Sequence, residues 1–264
     1  MFFDYFDVLG GHFAVFLLLL TRISGIFMIS PFFGSLNIPI MFRAAASLTI
    51  TMVLLPVIAS NNDVDNNMPT VLLFTASMIS ELFVGWLIGF VAYVVFAAIN
   101  MGGKIMDMQV GFAIVNVMDP TSGQQGPLIG SFLFNLGVTT LLVTNGHHML
   151  LYALAESCTL IPLTAAAPDP SLAMLIGNFT VGIFATGMKI AMPITFAILM
   201  TNVGLGILAR TMPQMNIFVV GIPMQIMIGM ASLSMVLPFY IMFLDFMFNT
   251  MYANISTALK LVAP

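Results

Sequence analysis

Long apolar stretches separated by short polar breaks dominate the chain, and their lengths set the first expectation. They fall at His12–Ser30, Ile40–Ser60, Thr70–Asn100, Leu128–Thr144, His147–Ile161, Leu172–Arg210 and Ile217–Thr250. A helix needs about 20 apolar residues to cross about 30 Å of hydrocarbon. The first two runs have that length. Thr70–Asn100 spans on the order of 45 Å as a straight helix, and the last two runs are longer. Pro193 lies inside one of these, Pro223 and Pro238 inside the other. A proline removes a helical hydrogen bond and crowds the carbonyl four residues back, so the pattern predicts kinked runs or runs broken into hairpins. Leu128–Thr144 and His147–Ile161 are short for a span. Asn145-Gly146 between them predicts a tight turn, and the pair reads as a helical hairpin that need not cross the bilayer fully.

One stretch departs from this pattern. Met101–Pro127, MGGKIMDMQVGFAIVNVMDPTSGQQGP, carries Gly102, Gly103, Gly111, Gly123, Gly126, Pro120 and Pro127. These are too many breakers for one continuous helix. Its middle, Val110 to Met118, nevertheless stays apolar. Lipid cannot satisfy the open backbone of such a segment, so it must be buried in protein or line a cavity. Residues 106–122 are therefore a candidate plug, gate or constriction. Met106, Met108, Phe112, Ile114, Val115, Val117 and Met118 form its apolar surface, and Gly102, Gly103, Gly111 and Pro120 are candidate hinges. Methionine suits a seal that must accommodate varied contacts. Met224, Met227 and Met230, three apart, read instead as a plastic helix core.

Composition sharpens the class. Of 264 residues, 60% are hydrophobic and only 6% charged; soluble domains run at roughly 25% charged. Mean hydropathy is +1.10. The chain reads as an all-α integral membrane protein forming one helical domain over residues 1–264, since no polar block is longer than the loop Ser60–Pro69. The start, MFFDYFDVLGGH, has no basic n-region, so the first apolar run is expected to stay in place and act as its own insertion signal. The net charge of −4 comes with no basic patch, which argues against nucleic acid. The lone Cys158 rules out an internal disulfide and reads as a small apolar helix residue. Six Lys and Arg residues are too few to set an orientation by the positive-inside rule.

Arg22, Glu81 and Lys189 lie inside apolar runs, where a lipid-facing charge costs a few kcal/mol. They predict a buried pair that locks packing, an aqueous surface that the run contacts because it does not sit in the bilayer, or an ion relay. Lys104 and Asp107, three apart, are placed to pair on one helix face. Gly85 and Gly89 form a GxxxG that permits close helix contact. His147 and His148 point about 100° apart on a helix, which suits a polar turn better than a shared metal. There is no HExxH, CxxC, phosphate-binding glycine loop or GxSxG elbow in the chain. No catalytic, metal or cofactor site is expected.

Four stretches resemble the flagellar type III export-gate family FliR/SctT. They are PFFGSLNIP (Pro31–Pro39), QVGFAIVNVMDPTSGQQGP (Gln109–Pro127), NGHHMLLYALAES (Asn145–Ser157) and ARTMPQMNIFVVGIPMQIMIG (Ala209–Gly229). They occur in the family's order and span most of the chain. One departure is Gln225, where the family often has Lys or Arg. The resemblance implies a non-enzymatic subunit that assembles with FliP and FliQ into a helical, tapering core, associates with FlhB, and contacts unfolded export substrates and membrane lipid. The implied location is the bacterial inner membrane, in the flagellar basal body. It also implies that the central loop supplies part of a hydrophobic plug. Gly34, Pro39, Pro193, Pro223 and Pro238 are then expected to set the bends that fit the chain to that assembly. The alternative is a small ion-coupled carrier built on broken helices and buried charges.

Overall fold

A computed structural model describes residues 13–34, 38–59, 71–112, 126–214 and 216–264. Among them every regular element is helical: α1 Phe13–Ile29, α2 Ile40–Ala59, α3 Val71–Val110, α4 Leu128–Val143, α5 Gly146–Leu160, α6 Ser171–Thr211 and α7 Ile217–Lys260. Four of these helices are long and apolar enough to cross a membrane, or five spans if the pair α4–α5 counts as one. Asn145, between α4 and α5, is in the left-handed conformation (φ 57°), which Asn tolerates better than most residues.

The long apolar runs are not divided into hairpins. α3, α6 and α7 run unbroken for 40, 41 and 44 residues. Pro193, Pro223 and Pro238 lie within them, each with an exposed ring. Each costs one backbone bond, but the ring points away from the chain's own core, and the apolar periodicity on both sides carries the helix through.

Two compact units divide the chain. The first comprises residues 1–94, 145–178 and 249–264. In it α1 packs against α2 and crosses α3 at backbone contact. A Cβ on Gly85 would fall on the Arg22 carbonyl oxygen, and one on Gly25 would lie 2.7 Å from the Leu82 carbonyl oxygen. Gly89 continues the crossing beside Ile26 and Ser30, so the GxxxG is an intramolecular contact. The extended stretch after α5 pairs with the chain's end, Ala167 N–H donating to Val262 O and Asp169 N–H to Leu261 O.

The second unit comprises residues 95–144 and 179–248. Phe96 packs edge-on against Phe134 at 5.5 Å and stacks with Phe248 at 5.9 Å, while Gly137 admits the rings and chains of Phe96 and Ile99. Gly187 of α6 leaves room for Met101 and the Ala98 carbonyl of α3.

Candidate functional site

The end of α3 differs from the sequence expectation. The helix does not stop at the glycine pair: Gly102, Gly103, Met106 and Met108 are all helical. Gly102 and Gly103 are not an open joint, because neighbouring backbone fills the space their side chains would take. A Cβ on Gly102 would lie 2.9 Å from Gly187 O, and one on Gly103 would fall on Gly130 Cα. α3 ends at Val110, and Gly111 follows it with a φ of +96°. Glycine enters that region without penalty, and its position directly after Val110 ends the helix.

The apolar side chains of this stretch divide by position. Met106 is 1% exposed and packed within the chain. Met108, one helical step away, is 72% exposed. Phe112 is half-buried. Ile114, Val115, Val117, Met118 and Pro120 lie outside the described residues.

Both ends of the stretch are held. On the entering side, Val110 is fully buried and its methyls occupy the space beside Gly229 of α7. On the leaving side, α4 begins at Leu128 after the extended Pro127, which offers no side-chain cap. The missing cap comes from Asp107. One carboxylate oxygen accepts the Ile129 N–H at 2.9 Å and the other the Gly130 N–H at 3.1 Å. These amides belong to the first helical turn, where backbone donors have no intrahelical acceptor and the dipole favours a negative charge. Asp107 is thus a helix cap rather than the partner of Lys104, whose side chain is exposed.

Gln225 donates through Nε2 to Asn202 Oδ1 at 2.5 Å, joining α7 to α6. A neutral amide pair occupies the position where the resemblance expects a cation. Met227 and Met230, at 73% and 42% exposed, lie on an open face rather than in a core. Pro39 starts α2, its carbonyl accepting from Phe42 and Arg43 N–H. Gly34 donates to Ser30 O at 2.6 Å, in a turn where a Cβ would lie 2.7 Å from that oxygen.

The buried charges form a closed set. Arg22 Nε donates to Glu81 Oε2 at 2.5 Å, with both side chains fully buried. The rest of the guanidinium donates to Ser157 O and Ile161 O at the end of α5. Glu81 Oε1 accepts the Thr164 N–H at 2.8 Å. Of the readings for these charges, Arg22 and Glu81 form the packing lock, because backbone groups take up the valences an ion relay needs free. Lys189 is exposed and makes no part of it.

Residues 13–251 match the family of bacterial export proteins, family 1. The chain belongs to that family. It is similar to the flagellar biosynthetic protein FliR of Bacillus subtilis (strain 168), 33% identical over 84% of this chain and 85% of the relative. It is also similar to FliR of Pectobacterium carotovorum subsp. carotovorum, 28% identical over 91% and 92%, and of Escherichia coli (strain K12), 24% identical over 92% and 93%. For this export-family chain, one residue that sequence reasoning misplaced is Asp107. The legible signal was a carboxylate three residues before an apolar helix end; its partners lay 22 and 23 positions downstream.

Proposed function

We propose that the chain is a non-enzymatic subunit of the bacterial flagellar type III protein export gate. In this reading it forms one export-gate domain, assembles with FliP and FliQ, associates with FlhB, and sits in the inner membrane at the flagellar basal body. Family membership across residues 13–251 carries the reading.

The surface supports assembly with other helical chains. In their most apolar windows only 17% of α2, 28% of α6 and 17% of α7 is buried. α6 and α7 are also about 60 Å long at 1.5 Å per residue, twice the hydrocarbon thickness. Lipid alone cannot cover both ends of such helices, whereas neighbouring helices can.

Within the assembly, Met108, Phe112, Ile114, Val115, Val117 and Met118 close a narrow conduit at rest. Apolar constrictions exclude water and ions by dewetting. An unfolded substrate displaces such a segment at low cost, because its contacts are mainly non-directional and reform after passage. Methionine tolerates varied passing side chains. Energy for transport comes from elsewhere in the machine. The test is shortening of Gly111–Val117 in the assembled complex. Ion leakage through the membrane is expected to rise; unchanged conductance counts against the plug.

A further inference from the structure

Within the second unit, α6 has two unlike faces. Ile190, Ala191, Ile194 and Ile198 are buried. On the opposite side Val181, Phe184, Met188, Met192, Phe196 and Ile207 are between 48% and 69% exposed. Their spacing of three and four keeps them on one stripe, on the order of 40 Å long at 1.5 Å per residue. Lys189 is exposed and borders this stripe, three residues before Met192 and seven before Phe196. Among the described residues it meets no carboxylate, whereas Arg22 is neutralised by Glu81.

A bilayer cannot cover such a stripe alone. Hydrocarbon about 30 Å thick that took in its whole length would hold the ammonium inside, which is costly unless the charge faces protein or water. With the ammonium at headgroup level, lipid covers only one side of it, residues 181–188 or residues 192–207, and the other side stands out. In each placement protein has to cover part of the stripe beside Lys189. An apolar three-and-four stripe receives a second helix. A helix packed there strips water from the lysine head, which then needs an opposite charge.

We propose that the exposed stripe of α6 seats an apolar helix of a neighbouring subunit, and that this helix carries an Asp or Glu level with Lys189. This rests on the reading of the chain as one subunit of a helical assembly, and it adds what the partner must present. The ion pair sets register: sliding the partner by one turn, about 5.4 Å, leaves both charges desolvated and unpaired.

The experiment treats the complete complex in membranes with a membrane-permeant carbodiimide, which joins a carboxylate to an amine in contact with it, and maps the products by peptide mass spectrometry. A link from Lys189 to an acidic residue in an apolar helix of another subunit is expected. Lys189→Met is expected to lower recovery of the complex several-fold and Lys189→Arg to retain most of it, while the thermal midpoint of the detergent-solubilised chain alone stays unchanged in both. If no helical subunit co-purifies with the parent chain, the assembly reading falls and this one with it. If subunits co-purify but Lys189→Met assembles at the parental level, the assembly reading stands and the seat is overturned, the lysine then facing water. Absence of the link in the parent, together with loss of bound anionic lipid from Lys189→Met, also overturns it by assigning the ammonium to a headgroup. Should Lys189→Met fail to fold, the link in the parent complex decides: its presence supports the seat and its absence overturns it.

Discussion

Arg22 and Glu81 meet at 2.5 Å, 59 residues apart in sequence, with no exposure of either side chain. The pair ties α1 to α3 and the end of α5, and it also holds Thr164, which sits at φ 71°. A β-branched residue in that region is strained, so the Glu81 contact to its N–H keeps an unfavourable turn in place. Removing one partner of a buried pair costs about 3–5 kcal/mol, because the other charge is left uncompensated. Arg22→Ala and Glu81→Ala are each expected to lower the thermal midpoint of the detergent-solubilised protein sharply. Arg22→Lys should rescue little, since one ammonium cannot reproduce a planar fork that reaches Glu81, Ser157 and Ile161 at once. Full rescue by lysine would mean that charge alone matters.

The α1–α3 crossing makes a graded prediction. Gly85→Ala drives a methyl into the Arg22 carbonyl, whereas Gly89→Ala meets its nearest neighbour at 3.3 Å and Gly177→Ala meets nothing within 4 Å. Overpacking of this kind typically costs about 1–3 kcal/mol. The expected order of destabilisation is Gly85, then Gly89, with Gly177 unchanged or slightly improved by its helix propensity. Thermal unfolding of the three variants checks the order.

Much of this fold was legible because apolar run length and period are local signals. The helix boundaries at Ile40, Leu128 and Ile217 follow from it, as does the turn at Asn145. The misreadings concern residues whose role is set by distant neighbours. Gly102 and Gly103 look like breakers in sequence, but tertiary contact with Gly187 and Gly130 turns them into packing notches. Lys104 lay nearer to Asp107 in sequence than the amides of Ile129 and Gly130 that its carboxylate takes. Met224, Met227 and Met230 have core-like spacing, which a buried face and an exposed apolar face share. Arg22 and Glu81 were recognisable as buried charges, whereas their partnership across 59 residues had no local signature.

Asp169 gives a pH prediction outside the membrane helices. Its carboxylate accepts from Ser171, 2.7 Å away at the backbone N–H, and the Ser171 side-chain and backbone hydrogen bonds hold its pKa below the ordinary value. A depressed folded pKa means that the contact's stabilisation is fully present above the unfolded value and is lost as pH falls through the folded one. Hydrogen exchange at the first turn of α6 is therefore expected to accelerate, beyond the intrinsic chemical rate, as the solution is acidified through that range. Asp169→Asn should remove the dependence, since its amide oxygen accepts without titrating. An Asn variant with the same acid sensitivity would assign the effect elsewhere.

Pro223 separates assembly from gating. It lies six residues into α7 with its ring exposed, so it breaks the bond to the Val219 carbonyl without touching the chain's own core. A proline in a helix interior costs about 3 kcal/mol relative to alanine. Pro223→Ala should therefore stabilise the isolated helix. If the residue sets the path of α7 for a neighbouring subunit, the same change lowers recovery of the complete complex in co-purification while the complexes that do form keep their resting leak. The local gain and the loss in assembly then have opposite signs, which a general folding defect cannot produce. A variant that assembles fully but leaks would place Pro223 in gating instead.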